Sequence, residues 1–136
     1  MKKSTRICNV KDLVHPLPKL LAPVLSNGEK VLICVETTTE VYKNLFGFPQ
    51  NKYSALVLTN NYICWASKDF TSQDGFMDAM TIYGVSAIKM EATEPENPAL
   101  EVYGQNGSLF CAHIFSSKTS FNTFIQAMSQ VGLSLK

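Results

Sequence analysis

The hydrophobic period of this chain is two from Lys30 to Phe115 and changes to 3.6 over residues 116–132. No other feature constrains the fold as strongly. Side chains of a strand alternate between two faces, whereas residues three and four apart share one face of a helix. "KVLICVETTTEVY" (30–42) is rich in Val, Ile and Thr, with Val31, Ile33 and Val35 on one face and Glu36, Thr38 and Glu40 on the other. "YSALVLT" (53–59) and "YICWASK" (62–68) read as a hairpin turned by Asn60-Asn61, because asparagine tolerates the positive φ of a two-residue turn. "FMDAMTIYG" (76–84) and "VSAIKMEA" (85–92) follow as strands. "ALEVYG" (99–104) and "SLFCAHIF" (108–115) form a last hairpin around Asn106-Gly107. Then Phe121, Phe124, Ile125, Met128 and Val131 fall on one helical face, with Ser117 placed to cap the start and Gly132 to stop the end.

These seven strands are joined by short connections, so they are antiparallel; parallel crossovers need about a dozen residues or more. An open sheet of this size leaves exposed edges unless it curls. The predicted fold is mainly β (β+α): a seven-stranded bent antiparallel barrel, capped at one end by the C-terminal helix.

The N-terminal part has a different character. Residues 1–9 are polar and read as loose. Leu17, Leu20, Leu21, Val24 and Leu25 form an amphipathic stripe, which predicts a short helix. Pro18 suits its first turn, Pro23 bends or ends it, and Asn27-Gly28 stops it. The expected organisation is an N-terminal extension over 1–26 and one domain over 27–136.

Composition limits the function classes. The chain has 136 residues, 46% of them hydrophobic, and a net charge of +1. Arg6 is the sole arginine and the lysines are scattered, which argues against nucleic acid as a partner. The basic start "MKK" is not followed by the apolar run of a signal peptide, since Asn9, Lys11, Asp12 and His15 interrupt it. A soluble, cytoplasmic protein is expected.

Cys8, Cys34, Cys64 and Cys111 lack the close spacing of metal or redox motifs and read as reduced, buried thiols. Cys111 and His113 project together from one strand, but neither a metal signature nor an orienting third group accompanies them. Glu36 and Glu40 share a strand face about 13 Å apart, too far for an acid–base pair, and read as a solvated face. Asp69, Asp74 and Asp78 lack calcium-loop spacing. Asn106-Gly107-Ser108 fits a turn rather than a glycosylation site. No enzyme activity, metal or cofactor is implied. Trp65 is expected in the core with its indole N–H on an acceptor.

The segment "KNLFGFPQNK" (43–52) reads as a loop carrying Leu45, Phe46 and Phe48. Packing under the rim of the barrel is the plain expectation. The alternative is a contact surface for a partner chain or a membrane, made by Phe46 and Phe48 between Lys43 and Lys52.

The stretches "LSNGEKVLICVE" (25–36), "ALVLTNNYICWAS" (55–67), "GVSAIKME" (84–91) and "LEVYGQNGSLFCAHIFSSK" (100–118), followed by the helix 119–131, occur in an order that resembles the pleckstrin-homology-like fold, and more narrowly the bacterial PH domains. Two positions depart from the family pattern: Tyr62 stands where an arginine often follows the hairpin turn, and Ser54 where a phosphate-binding arginine would stand. The resemblance implies a non-catalytic binding or scaffolding module acting through protein–protein contacts and self-association. Two alternatives stand beside it, the second from a different class of protein. One is a weak membrane adaptor for phosphoinositide-type lipids through Lys43, Phe46, Phe48 and Lys52. The other is a small barrel that holds an apolar ligand.

Overall fold

The structure, a computed structural model, describes residues 2–43, 45–47, 49–70, 73–94 and 97–136. Eight strands form within them: β1 (Lys2–Ile7), β2 (Val31–Lys43), β3 (Pro49–Thr59), β4 (Tyr62–Lys68), β5 (Phe76–Thr81), β6 (Val85–Glu94), β7 (Asn97–Gly104) and β8 (Leu109–Ile114). Two helices accompany them, α1 (Leu17–Leu25) and α2 (Lys118–Ser129). The strands make two antiparallel sheets, ordered β1-β2-β3-β4-β5 and β6-β7-β8. A short 3-10 turn, Ile82–Gly84, carries the chain from one to the other. The mainly β class with a C-terminal helix is as expected. The single seven-stranded barrel is not: among the described residues the strands number eight and remain two sheets.

The additional strand is the segment expected to be loose. Lys2–Ile7 pairs along β2 from Lys2 opposite Glu40 to Ile7 opposite Val35. Its polar composition hides it from hydrophobic patterning, but the edge of β2 offers backbone partners regardless of side chain. Thr5 also reaches the far end of the fold. Its N–H donates to Ser116 Oγ at 2.7 Å, and Ser116 N–H donates to Thr5 Oγ1 at 2.8 Å. This reciprocal pair fastens the edge of the five-stranded sheet to the segment that follows β8.

The five-stranded sheet is covered on both faces. On one side, Leu17 and Leu21 of α1 and Leu13 pack on Cys34, Ala55, Val57, Cys64 and Ala66. On the other, Val35, Leu56, Leu58 and Ile63 meet Ile88, Leu100 and Val102 of the second sheet, and Phe121, Phe124 and Met128 of α2 close that layer. Two-sided burial explains why β3 and β4 read as nearly continuous apolar runs. Phe115 is fully buried, with its ring 5.4 and 5.8 Å from those of Phe121 and Phe124. Ser117 Oγ accepts the Ser120 N–H and caps α2 as predicted, and Gly132 takes the left-handed backbone that ends it.

The β3–β4 turn is built differently from the expectation. Neither Asn60 nor Asn61 has positive φ. Instead the buried Thr59 hydroxyl oxygen accepts the N–H groups of Asn61 and Tyr62, at 3.1 and 2.8 Å. The Thr59 O–H points to Glu29 Oε2 at 3.0 Å, and Asn61 Nδ2 also donates to Glu29. A side-chain turn of this kind spares the backbone a left-handed residue. The β7–β8 turn does use one, at Gly107 (φ 78°), after a Gly107 N–H bond to Gly104 C=O.

Candidate functional site

The segment expected as a loop over 43–52 is mostly strand. β2 runs to Lys43 and β3 starts at Pro49, with those two residues in register. Between them the described residues 45–47 lie at the tip of a long hairpin. Packing under a rim is overturned for the described apolar residues there: Leu45 is fully exposed and Phe46 is 83% exposed. Lys52 is exposed on β3, opposite Thr39, which in turn lies opposite Lys3 of β1. Lys3, Thr39 and Lys52 thus form one row across three strands on one face. Phe48 and the side chain of Lys43 lie outside the described residues.

The sheet edges carry four more exposed apolar groups. The four outermost strands are β1, β5, β6 and β8. Each bears one large, half-exposed apolar residue: Ile7, Phe76, Met90 and Leu109. Two of these edges are partly covered from within the chain. Thr5 and Ser116 tie β1, and Lys136 N–H donates to Ile88 C=O of β6. β5 pairs with β4 alone among the described strands. On it Phe76 leans against Trp65, with ring centres 6.1 Å apart.

The titratable groups considered in the sequence are dispersed by the fold. Glu36 is not solvated: it is 3% exposed, takes Arg6 Nε–H at 3.0 Å on Oε1 and accepts the Val14 N–H at 2.8 Å on Oε2. Periodicity places it on a polar face, but α1 and the preceding turn cover that face. His113 is fully buried. The Thr37 O–H donates to Ile114 C=O at 2.8 Å, so the Thr37 oxygen accepts from His113 Nε2–H at 3.0 Å. His113 Nδ1 is then the bare nitrogen, buried without a hydrogen-bond partner. Burial lowers the His113 pKa to about 3, so the ring is neutral. The indole N–H of Trp65, expected to find an acceptor, is likewise buried without one.

Cys111 lies with His113 in the layer between the sheets, while Cys34 and Cys64 lie beneath α1, so the sheet itself separates the two sets. Burial pushes Cys64 up to about 11 and Cys111 up to about 12, and raises Cys34 further. Among the described residues no three His, Cys, Asp or Glu side chains group as metal ligands. No helix of the described residues is long and apolar enough to cross a membrane.

An open groove of about 550 Å³ runs between the start of β2 and α2, with Ile7, Cys8, Val31, Ile33, Gln126 and Gln130 among its walls. It exists because β1 pairing reaches only Val35, with one further bond from Cys8 N–H to Cys34 C=O. Residues 31–33 therefore have a strand partner on one side only. Nothing in the linear pattern reveals this groove, since it depends on where β1 stops.

No known family model, curated protein or solved structure matches the chain.

Proposed function

We propose that this chain is a non-catalytic, PH-like binding module that self-associates through β5. The observation that carries the reading is the outer edge of β5, which no other described strand pairs, with the half-exposed Phe76 on it. An unpaired strand edge offers a row of backbone donors and acceptors to a second strand. Two copies of β5 pairing antiparallel about a two-fold axis satisfy both edges at once, as an isologous dimer requires. Two antiparallel sheets with a terminal helix packed against them support the PH-like comparison. The buried and neutral state of His113, and the raised thiols, support a binding rather than a catalytic role. Light scattering across a concentration series tests the proposal. A dimer that Phe76→Lys returns to single chains is expected; a single-chain mass at the highest concentration overturns it.

A second reading, a weak adaptor for anionic membrane surfaces, is favoured by the exposed Leu45 and Phe46 at the hairpin tip with Lys52 behind them. Apolar residues at such a tip enter the interface while lysines meet anionic headgroups. Co-sedimentation with phosphatidylserine vesicles at low salt, lost in Phe46→Ser, is the expected result. No sedimentation of the wild-type chain removes this reading. The apolar-ligand reading finds no such observation, because Leu100, Phe115, Phe124 and Met128 fill the space between the sheets.

A further inference from the structure

Cys8 and Cys34 face each other across neighbouring strands. The β1–β2 register sets Arg6 opposite Glu36 and Ile7 opposite Val35. The next rung is Cys8 opposite Cys34, and Cys8 N–H donates to Cys34 C=O at 3.0 Å. Directly opposed antiparallel residues have Cα atoms about 4.5 or 5.5 Å apart. Both spacings fall within the roughly 4.4–6.8 Å that a disulfide spans. Directly opposed residues of an antiparallel pair project to the same face, and Cys8 packs against the buried cluster that holds Cys34. The two cysteines continue the face that holds the Arg6–Glu36 pair, two rungs further on.

The other two thiols are not so placed. Cys34 and Cys64 have Val57 in register between them, two strand spacings or about 10 Å. Cys111 is on the far side of the sheet. Access also distinguishes the pair: Cys8 is half-buried, and both Cys8 and Cys34 line the open groove beside α2.

We propose that Cys8 and Cys34 are a reversible redox pair, closed to an intramolecular disulfide by a peroxide or a low-molecular-weight disulfide. With hydrogen peroxide, the Cys8 thiolate attacks one oxygen, the O–O bond breaks, and hydroxide leaves. Cys8 becomes a sulfenic acid. The Cys34 sulfur then attacks the Cys8 sulfur, the S–O bond breaks, and the departing hydroxide takes the Cys34 proton as water. The two thiols lose two electrons and two protons, and the peroxide is reduced to two waters. With oxidised glutathione, the Cys8 thiolate displaces one glutathione thiolate to form a mixed disulfide. The Cys34 sulfur then displaces the second, so that the oxidant leaves as two glutathione thiols. Cys8 is the first nucleophile because it is the accessible one and the Arg6 guanidinium favours its thiolate. Burial raises both thiols, Cys34 more than Cys8, which makes closure slow. The closed bond fastens the end of β1 to β2 and encloses α1 in the loop between residues 8 and 34.

The full chain, reduced and then exposed to hydrogen peroxide or to oxidised glutathione, tests this. Expected are loss of two of the four thiols, a mass lower by two hydrogen atoms, and a peptide linking Cys8 to Cys34. The oxidised chain should also unfold at higher urea, with the shift reversed by dithiothreitol. Cys8→Ala and Cys34→Ala should each keep the remaining thiols free. Four free thiols, a bond to Cys64 or Cys111, a bond between chains, or a stable sulfinate or glutathione adduct on Cys8 with Cys34 free overturns the proposal.

Discussion

Arg6 and Glu36 stand opposite each other on β1 and β2, and the guanidinium Nη2 lies 2.9 Å from the Glu36 carboxylate. The two ends of this pair live in different environments. The Arg6 side chain is 53% exposed, whereas Glu36 is almost completely covered and also holds the Val14 N–H. Arg6→Ala therefore leaves a buried carboxylate without its counter-charge. A loss of about 1–3 kcal/mol in urea unfolding is expected, below the cost of a fully buried pair because Arg6 is screened by water. An Arg6→Ala chain as stable as wild type contradicts this account.

The buried His113 makes stability pH-dependent. Its folded pKa is lowered to about 3, while the unfolded ring titrates near 6.5. Between those values the unfolded chain binds the proton and the folded chain does not. The contribution of the neutral ring is thus complete above about pH 6.5 and is lost as pH falls towards 3. The slope approaches about 1.4 kcal/mol per pH unit inside that window. Urea midpoints measured from pH 7 to pH 4 should fall faster for wild type than for His113→Gln. Parallel curves would dissociate the effect from His113.

Thr59 organises the β3–β4 turn through one oxygen that accepts two backbone N–H groups. Thr59→Val keeps the shape and removes that acceptor. The expected cost is about 1–3 kcal/mol by thermal or urea unfolding, because two turn donors lose their partner. Asn61→Gly should bring no compensating gain, since the turn has no positive-φ residue to relieve.

Phe115 joins the second sheet to α2 through edge contacts with Phe121 and Phe124. Truncation to Ala leaves a cavity at that junction. A loss of about 3–5 kcal/mol is expected. Hydrogen exchange should quicken most in α2; uniform protection across the chain would mean that the contact does not hold the helix.

Much of the architecture is legible locally. The alternation in 30–42 and 53–68 marks β2 and β4 almost to their ends and β3 from Tyr53 onward, and the stripe from Phe121 to Met128 marks α2, because each pattern reports which face of one element must leave water. Ser117 and Gly132 are likewise readable, since a cap and a left-handed stop are requirements of the adjacent backbone. Exposure of Leu45 and Phe46 is not readable, because an apolar loop residue is equally consistent with packing beneath the sheet. β1 escapes detection for the opposite reason: its polar side chains carry no period, and its partner is the backbone of β2.

From α1 onward, local pattern sets the order of strands, turns and helices in this protein, since periodicity and turn chemistry act over a few neighbouring residues. Tertiary structure decides what those elements do to particular side chains. It buries Glu36 beneath the segment from Leu13 to α1, isolates His113 behind Thr37, and brings Cys8 and Cys34 onto one rung. These outcomes depend on contacts between residues tens of positions apart, and burial or proximity across such distances is a property of the assembled sheets rather than of any one stretch of chain.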